Sequence, residues 1–518
     1  MRLYGPTATK SYQALHLAIS PRMKSSLIIG SGIGGLAAAC RLAARGHAVT
    51  VLEAAATYGG KAHERILTDP ATGAAYRFDG GPSLFTLPEL VDDVFRAAGR
   101  DPAAYFRYER LDPVTRYFFA DGARLTAWAD PERLAQEVET TLGVPAERVR
   151  RHLRRAARVY EGTAPTFLGR SLHRLGTYLH PDVLRAVAAI PQMGLLSTMH
   201  GANLRAANRE PRLTQLFDRY ATYNGSDPYQ APATLNLIPH LEFGRGAYYP
   251  TRPAAGIRAI PTALYRLAVE LGVEFRFNEA AEEIMVENGR VAGVRTARQT
   301  YRAPVVVSNA DVVPTYRRLL PTQPAPERTL QQPRSSSAFI FYWGISRDFP
   351  ELDVHNIFFS ADYQAEFSAI FRQRLPPADP TVYVNITSGQ TPADAPPGHA
   401  NWFVMVNVPH DQGQDWPALV PQVRAAVLRR VSAALQTPIE PLIRAEQTWT
   451  PPQIAADTSS FGGALYGASS NNALAAFLRH PNFSRRLPGL YFCGGSVHPG
   501  GGIPLCLLSA RVVGEMVG

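Results

Sequence analysis

Six consecutive residues, Gly30-Ser31-Gly32-Ile33-Gly34-Gly35, and one acid, Glu53, carry the clearest chemical signal in this chain. An apolar run, Leu27-Ile28-Ile29, leads into them, and an Ala/Leu-rich helical segment follows. A second apolar run, Val49-Thr50-Val51-Leu52, ends in Glu53. Strand, glycine turn, helix, strand and acid in this order bind an adenine dinucleotide. Gly30 permits the tight turn, Gly32 lets backbone approach a pyrophosphate, and Gly35 lets helix and strand pack closely; Ser31 and Gly34 belong to the same cofactor-binding turn. The helix N-terminus offers free N–H groups and the positive end of its dipole to the phosphates. Glu53, 23 residues after Gly30, is placed to accept hydrogen bonds from a ribose diol and to repel a 2′-phosphate.

Further glycine clusters add surfaces for a large flat ligand. Tyr58-Gly59-Gly60-Lys61-Ala62 and Phe78-Asp79-Gly80-Gly81-Pro82-Ser83 both let backbone come close to it. Lys61 is the only lysine after Lys24 in a chain whose basic residues are nearly all arginine, which reflects either a site needing a slim ammonium or chance. Near the C-terminus, Leu490-Tyr491-Phe492-Cys493-Gly494-Gly495-Ser496 and His498-Pro499-Gly500-Gly501-Gly502-Ile503-Pro504 precede a helix running to Val517. That second helix N-terminus would point into the same site, where its dipole favours negative charge on a reduced flavin ring. Only one dinucleotide turn is present, so nothing suggests a separate nicotinamide site.

The elements that must position these loops follow from pattern. Residues 91 to 245 read as largely helical, after a strand pair near Arg116-Tyr117-Phe118-Phe119 and Leu125-Thr126-Ala127-Trp128. From Gly256 the nucleotide-binding fold resumes with a helix, Pro261 to Leu271, and a strand, Val273 to Phe277. Asn288-Gly289 between apolar runs predicts a two-residue hairpin. Val305-Val306-Val307-Ser308-Asn309-Ala310-Asp311 reads as a buried strand ending in a polar turn, and residues 320 to 335 as a Pro/Gln-rich linker. Strands rich in Phe, Tyr and Val recur from 338 to 410 and suggest a second sheet.

Composition sets outer bounds. The 518 residues allow two or three domains, and 46% hydrophobic content allows a large core. Cys40, Cys493 and Cys506 are isolated, so neither a metal site nor a disulfide framework is expected. Most of the formal net charge of +10 falls between Glu147 and Arg219, where thirteen arginines face five acids. Such a patch points to an anionic surface, membrane headgroups or nucleic acid, or is simply a solvated helix face. Pro181 to Ala207 has apolar faces interrupted by Pro191 and Gly194, and with the neighbouring arginines could lie in a membrane interface; the alternative is an ordinary helical lid. No apolar run reaches the ~18 residues of a membrane span. Residues 1–23 make a poor signal peptide.

Together the glycine turn with Glu53, the Gly59-Gly60-Lys61 step, Phe78-Asp79-Gly80-Gly81-Pro82, Val307-Ser308-Asn309-Ala310-Asp311 and His498-Pro499-Gly500-Gly501-Gly502-Ile503-Pro504 resemble the bacterial carotenoid (phytoene) desaturase family. Within it, Tyr223-Asn224-Gly225-Ser226-Asp227-Pro228-Tyr229 and Leu237-Ile238-Pro239-His240-Leu241-Glu242 are most similar to hydroxycarotenoid 3,4-desaturases. The resemblance implies an α/β fold: a discontinuous, glutathione-reductase-like Rossmann FAD domain with an α+β substrate domain, made of a mixed sheet and a helical membrane-facing subdomain. The implied order is a disordered leader at 1–23, FAD domain at 24–105, helical lid at 106–245, FAD domain at 246–320, substrate-domain sheet at 321–455 and FAD domain at 456–518.

By the same resemblance, Gly30, Gly32 and Gly35 hold the pyrophosphate of FAD and Glu53 the ribose. Gly60 and Lys61 lie near the phosphates or ribityl chain, and Gly80, Gly81 and Ser83 near the flavin. Ala281 meets adenine, and Asn309, Gly494, Gly495, Gly502 and Ile503 line the ribityl chain and ring. Ser496 stands where many related flavoproteins carry an acid, so that contact is weaker or differently supplied. The expected chemistry is hydride transfer from an allylic carbon of a C40 carotenoid to flavin N5, with proton loss from the neighbouring carbon. His240 and Glu242 are the candidate proton acceptors or hydroxyl ligands. Expected partners are a long polyene lipid, a membrane surface, and a quinone or oxygen as electron acceptor, with no nucleic acid. A cytoplasmic protein peripherally associated with the inner membrane is expected. Phytoene desaturase, carotene isomerase or ketolase activity stays open on the same scaffold, as does a non-enzymatic prenyl-lipid carrier.

Overall fold

Three distant parts of the chain contribute strands to one parallel sheet. Its order is Glu274–Arg276, Ala48–Leu52, Ser25–Ile29, Val305–Ser308 and Leu490–Phe492. All neighbours run parallel, and helices Ile33–Ala43, Ala259–Glu270 and Ile503–Val517 bury their apolar faces in its core. This computed structural model describes residues 24–472 and 478–518, so the leader expected at 1–23 lies outside the described residues. A parallel sheet with crossovers is dictated by short Val/Ile/Leu runs separated by helical segments. The mixed α/β architecture with a Rossmann-like unit is thus the one expected.

Close packing at the first turn needs a missing side chain. A Cβ on Gly35 would stand 2.0 Å from the carbonyl oxygen of Gly30, so any larger residue drives the helix off the strand. Gly30 itself has φ of 92°, a conformation open to glycine. The Asn288-Gly289 hairpin forms as expected, with both residues at positive φ between strands Ala281–Glu287 and Arg290–Thr296.

The second sheet has seven strands in the order Ile443–Trp449, Ser337–Ile345, Ala400–Val408, Val382–Ile386, His355–Phe358, Thr115–Phe118 and Arg124–Ala127. It is mixed, because Thr115–Phe118 runs parallel to His355–Phe358 while the other pairs are antiparallel. Every residue of Ser337–Ile345 is buried. Phe339, Phe341, Trp343 and Ile345 pack toward the helix Trp416–Leu435, and Ala338, Ile340 and Tyr342 toward the opposite core. That 20-residue helix escapes a reading of strands alone, since Pro417 and Pro421 near its start hide the pattern. The strand Ala247–Arg252, which pairs with Phe85–Thr86 and Arg107–Arg110, is also unexpected. The stretch 91–245, read as largely helical, is predominantly so from residue 131 on, while its first part holds the strand Arg107–Arg110 besides the expected pair Thr115–Phe118 and Arg124–Ala127.

One buried carboxylate ties two pieces of the chain together. Asp79 pairs with Arg77 at 3.0 Å and accepts hydrogen bonds from the backbone N–H of Ile257 (2.9 Å) and Arg258 (3.4 Å), at the start of helix Ala259–Glu270. Burial raises its pKa against the pull of Arg77 and these two N–H groups.

Gly35→Ala should destabilise the fold by about 3 kcal/mol or more, the upper part of the range for overpacking a tight site. Chemical denaturation of the variant beside the parent checks this; an unchanged midpoint would refute the account of the Gly30–Gly35 contact.

Candidate active site

One cleft of about 840 Å³ opens where the parallel strands end, the usual ligand position in such sheets. Gly30, Gly32, Gly34, Glu53, Gly60, Lys61, Gly81, Ser83, Ala281, Asn309, Gly494, Gly495, Gly502 and Ile503 all line it. Ser31, Gly35 and Gly80 are not part of its lining and act from behind. Ser31 donates from both its N–H (2.7 Å) and its hydroxyl (2.6 Å) to Glu53 Oε2, while Ala55 N–H donates to Oε1 (2.8 Å). Glu53 is therefore oriented by the glycine turn and by Ala55 before any ligand arrives.

The cradle is shaped by absent side chains around Asn309. A Cβ on Gly32, Gly34, Gly35 or Gly494 would lie 2.5 to 3.1 Å from the Asn309 amide. Asn309 N–H donates to Ile29 O (2.8 Å) and its Nδ2 to Cys493 O (3.2 Å), which binds three strand ends together. The helices Ile33–Ala43 and Ile503–Val517 both begin at this cleft, capped by Gly32 and Gly502. Two helix N-termini, bare backbone at the turn and an acid at the next strand end fit an adenine dinucleotide. The loops at Gly81-Pro82-Ser83 and Gly502-Ile503-Pro504 leave backbone-lined surface further along the same cleft.

Lys61 spans the cleft wall. Its Nζ donates to the carbonyls of Leu465 (3.1 Å) and Ala464 (3.4 Å), and burial lowers its pKa. The acid absent at Ser496 is present nearby in Asp311, which lines the cleft with Ser496. Ser496 Oγ accepts from Val312 N–H (3.0 Å), and Asp311 Oδ1 from Val313 N–H (2.9 Å). Asp311 sat in a recognised motif, yet its position opposite Ser496 is not readable from spacing.

The far part of the cleft is floored by the seven-stranded sheet. Trp449, Ile340, Met405, Tyr383 and Ile357 are successive register partners across five strands, and all five line the cleft. Beside this row lies a polar cluster. Arg219 Nη2 donates to Glu242 at 3.0 and 2.8 Å, Tyr220 hydroxyl donates to Glu242 Oε2 at 2.6 Å, and Arg219 Nε donates to Tyr117 hydroxyl at 2.7 Å. Glu242 and Arg219 are almost fully buried. Both oxygens of Glu242 are thus engaged within the protein. His240 is not part of the cleft lining; its ring lies 5.4 Å from that of Tyr160, and burial lowers its pKa. The structure separates these two neighbours in sequence.

His355 was not singled out by sequence, having no motif around it. It is buried, lines the cleft, and its Nε2 has no hydrogen-bond partner among the described residues. Its Nδ1 meets Tyr383 hydroxyl (2.7 Å) and Asn385 Nδ2 (3.4 Å), and Tyr383 hydroxyl meets Ser83 Oγ (2.8 Å). The Asn385 amide can only donate, so Nδ1 is the acceptor and Nε2 carries the hydrogen. Burial, with Arg219 nearby, lowers the His355 pKa to about 3, so the ring is neutral at physiological pH.

Away from the cleft, a run of large apolar side chains faces outward. Leu175, Leu179, Leu184, Val187 and Leu196 are 87, 87, 76, 55 and 103% exposed, with Arg170, Arg174 and Arg185 among them in sequence. No helix among the described residues is long and apolar enough to cross a membrane.

Comparisons with known proteins bear on this geometry. A family model described as flavin containing amine oxidoreductase matches residues 33–513. The chain is 47% identical over 495 residues to a 1-hydroxycarotenoid 3,4-desaturase of Flavobacterium sp. (strain P99-3), covering 96% of this chain and 99% of that one. It is 33% identical over 503 residues to a zeta-carotene-forming phytoene desaturase of Myxococcus xanthus, covering 96% and 95%. Among solved structures, an oxidoreductase from Methanosarcina mazei aligns with a TM-score of 0.58 at 13% identity, covering 95% of this chain and all of that one, a likeness of fold alone.

The buried ion pair generates a stability prediction. Removing one partner leaves an uncompensated charge or donor, so Arg219→Met and Glu242→Leu should each cost about 3–5 kcal/mol. The double variant should cost clearly less than the sum of the two. A double-mutant cycle from denaturation curves reads this out, and strict additivity would contradict the pairing.

Proposed function

This chain belongs to the flavin-containing amine oxidoreductase family, in its carotenoid desaturase branch, and on that premise we propose that it is a 1-hydroxycarotenoid 3,4-desaturase. It is an FAD-dependent oxidoreductase. The segments 24–105, 246–320 and 456–518 form its cofactor domain in this reading. The observation that carries the substrate assignment is the cleft's two-part lining: a glycine cradle at one end, and an apolar row with one isolated polar cluster beyond it.

A saturated carbon pair beside a polyene has no acidic proton and no leaving group, so a two-electron acceptor is required, and FAD supplies that when bound. The chain's residues do the rest. Gly30, Gly32 and Gly34 open the backbone to the pyrophosphate while Gly35 lets the helix pack behind them, Glu53 takes the adenosine ribose, and Asp311 supplies the acid for ribityl hydroxyls that Ser496 does not. The row Trp449, Ile340, Met405, Tyr383 and Ile357 gives an extended polyene a water-excluding surface. A hydroxyl on C1 is only two carbons from C3, so the groups reading it must lie near the reacting bond. The chain Ser83–Tyr383–His355 begins at the flavin-side loop and ends in a neutral, unpartnered N–H. His355 Nε2 is the donor for that hydroxyl. Glu242 serves as counter-ion to Arg219 rather than as the base, and His240 has no catalytic part.

The exposed apolar run docks on a lipid bilayer, with the flanking arginines at the headgroups. Such docking gives access to a water-insoluble substrate and to a quinone as electron acceptor, oxygen being the alternative. Phytoene desaturation is the second reading, favoured by the Myxococcus xanthus relative.

Two measurements test these statements. In hosts accumulating 1-hydroxycarotene, lycopene or phytoene, the chain should yield a product two hydrogens lighter chiefly from the hydroxylated pigment. In His355→Phe the preference for hydroxylated over non-hydroxylated substrate should fall about tenfold, equivalent to about 1.4 kcal/mol, with flavin absorbance retained. Preferential conversion of phytoene would replace the first reading by the second. For docking, Leu184→Asp with Leu196→Asp should lower partition onto vesicles at least about tenfold, since each buried Leu is worth roughly 1.5–3 kcal/mol. Unchanged partition would remove the proposed surface.

A further inference from the structure

A second cavity, of about 220 Å³, lies in the helical region apart from the cleft. One wall is a single stripe of the helix Ala146–Phe167: Arg148, Arg151, His152 and Arg155 recur at the three- and four-residue spacing of one face. The helix Met199–Ala206 adds Arg205 across the gap. Four arginine side chains therefore line one cavity whose lining holds no Asp or Glu.

Their partners distinguish them from their neighbours. On the same helix, Arg150 pairs with Glu132 and Arg154 with Glu147. Arg155 instead donates to the carbonyl of Gln192 (2.9 Å), Arg205 to the Ser197 hydroxyl (2.9 Å) and Arg148 to the carbonyl of Arg205 (3.5 Å). None of the four has a carboxylate partner among the described residues, so no acid compensates the positive charge of this lining. His152 adds a second, independent sign. It lines the cavity, is over nine-tenths buried with its ring stacked 4.1 Å from Phe217, and its Nε2 has no hydrogen-bond partner among the described residues. The Gln192 and Asn236 amide oxygens, also in the lining, are likewise buried and unpaired, which suits a ligand carrying hydroxyl donors.

We propose that this cavity is an anion site for a phosphate ester bearing a hydroxylated group, such as phosphoglycerol. Arg148, Arg151, Arg155 and Arg205 would take the phosphate oxygens, with His152 as a further donor. The ligand is either a lipid headgroup, since the exposed Leu195 and Leu196 lie only three and four residues after Gln192 in the chain, or a free phosphate ester.

The test titrates purified holoenzyme calorimetrically with inorganic phosphate and glycerol 1-phosphate. Saturable binding is expected, with Kd raised about tenfold in Arg151→Gln and less than about twofold in Arg154→Gln, which removes the same charge outside the cavity. Flavin content and melting temperature of both variants show that they fold. No saturable binding, or equal weakening by the two substitutions, overturns the proposal. Vesicles of phosphatidylglycerol and phosphatidylcholine then separate the sources. Loss of the phosphatidylglycerol preference in Arg151→Gln identifies a lipid headgroup; retention of that preference alongside lost soluble binding identifies a free phosphate ester.

Discussion

Everything in this molecule depends on backbone meeting backbone around Asn309 with no side chain between. The strand ends at Ile29, Ser308 and Cys493 come from residues hundreds apart, and Asn309 joins them through its own N–H and its side-chain amide. That arrangement exists because Gly32, Gly34, Gly35 and Gly494 present no Cβ to the amide. A methyl at Gly35 would meet the Gly30 carbonyl at 2.0 Å, which backbone cannot absorb without parting helix from strand, and a methyl at Gly32, Gly34 or Gly494 would meet the Asn309 amide at 2.5 to 2.9 Å and push it from its seat. The same bareness exposes N–H groups at two helix starts, so the constraint that closes the fold also makes the cofactor site.

The seven-stranded sheet solves a different problem. A long polyene needs a dry, smooth wall, and an isolated hydroxyl needs one polar spot in it. Register delivers both. A row of cross-strand partners from Trp449 to Ile357 places apolar side chains on one face, and two residues along the same strand, on the same face, stands His355. Moving any strand by one residue would turn its member of the row to the opposite core. The buried Arg219–Glu242–Tyr220 group stands beside this wall as a satisfied network, with Arg219 and Glu242 in the cleft lining. Such a network gives the helical region a defined seat on the sheet at the expense of desolvating a charge pair.

Legibility varied with the range of the interaction. The glycine turn, the Asn288-Gly289 hairpin and the strand pair near 116 and 125 were readable because each rests on neighbours within a few residues. The helix Trp416–Leu435 was hidden because two prolines blur its opening turns. The strand Ala247–Arg252 was hidden because its partners, the two-residue Phe85–Thr86 and the largely exposed Arg107–Arg110, are far away in the chain. His240 and Glu242 looked equivalent in sequence. Glu242 faces Arg219, while His240 packs by Tyr160 outside the cleft lining.

The sequence by itself determined the cofactor class and the α/β architecture, because backbone conformation at glycine and the period of apolar runs are local properties of the chain. It also determined that arginine, not lysine, carries the surface charge. Only the tertiary structure decided which polar residues share a wall. His355 reaches Ser83 through Tyr383, Asp311 stands beside Ser496, and four arginines from two helices converge on one cavity. Those meetings are set by cross-strand register and helix packing over long stretches of chain. No spacing along the sequence encodes them.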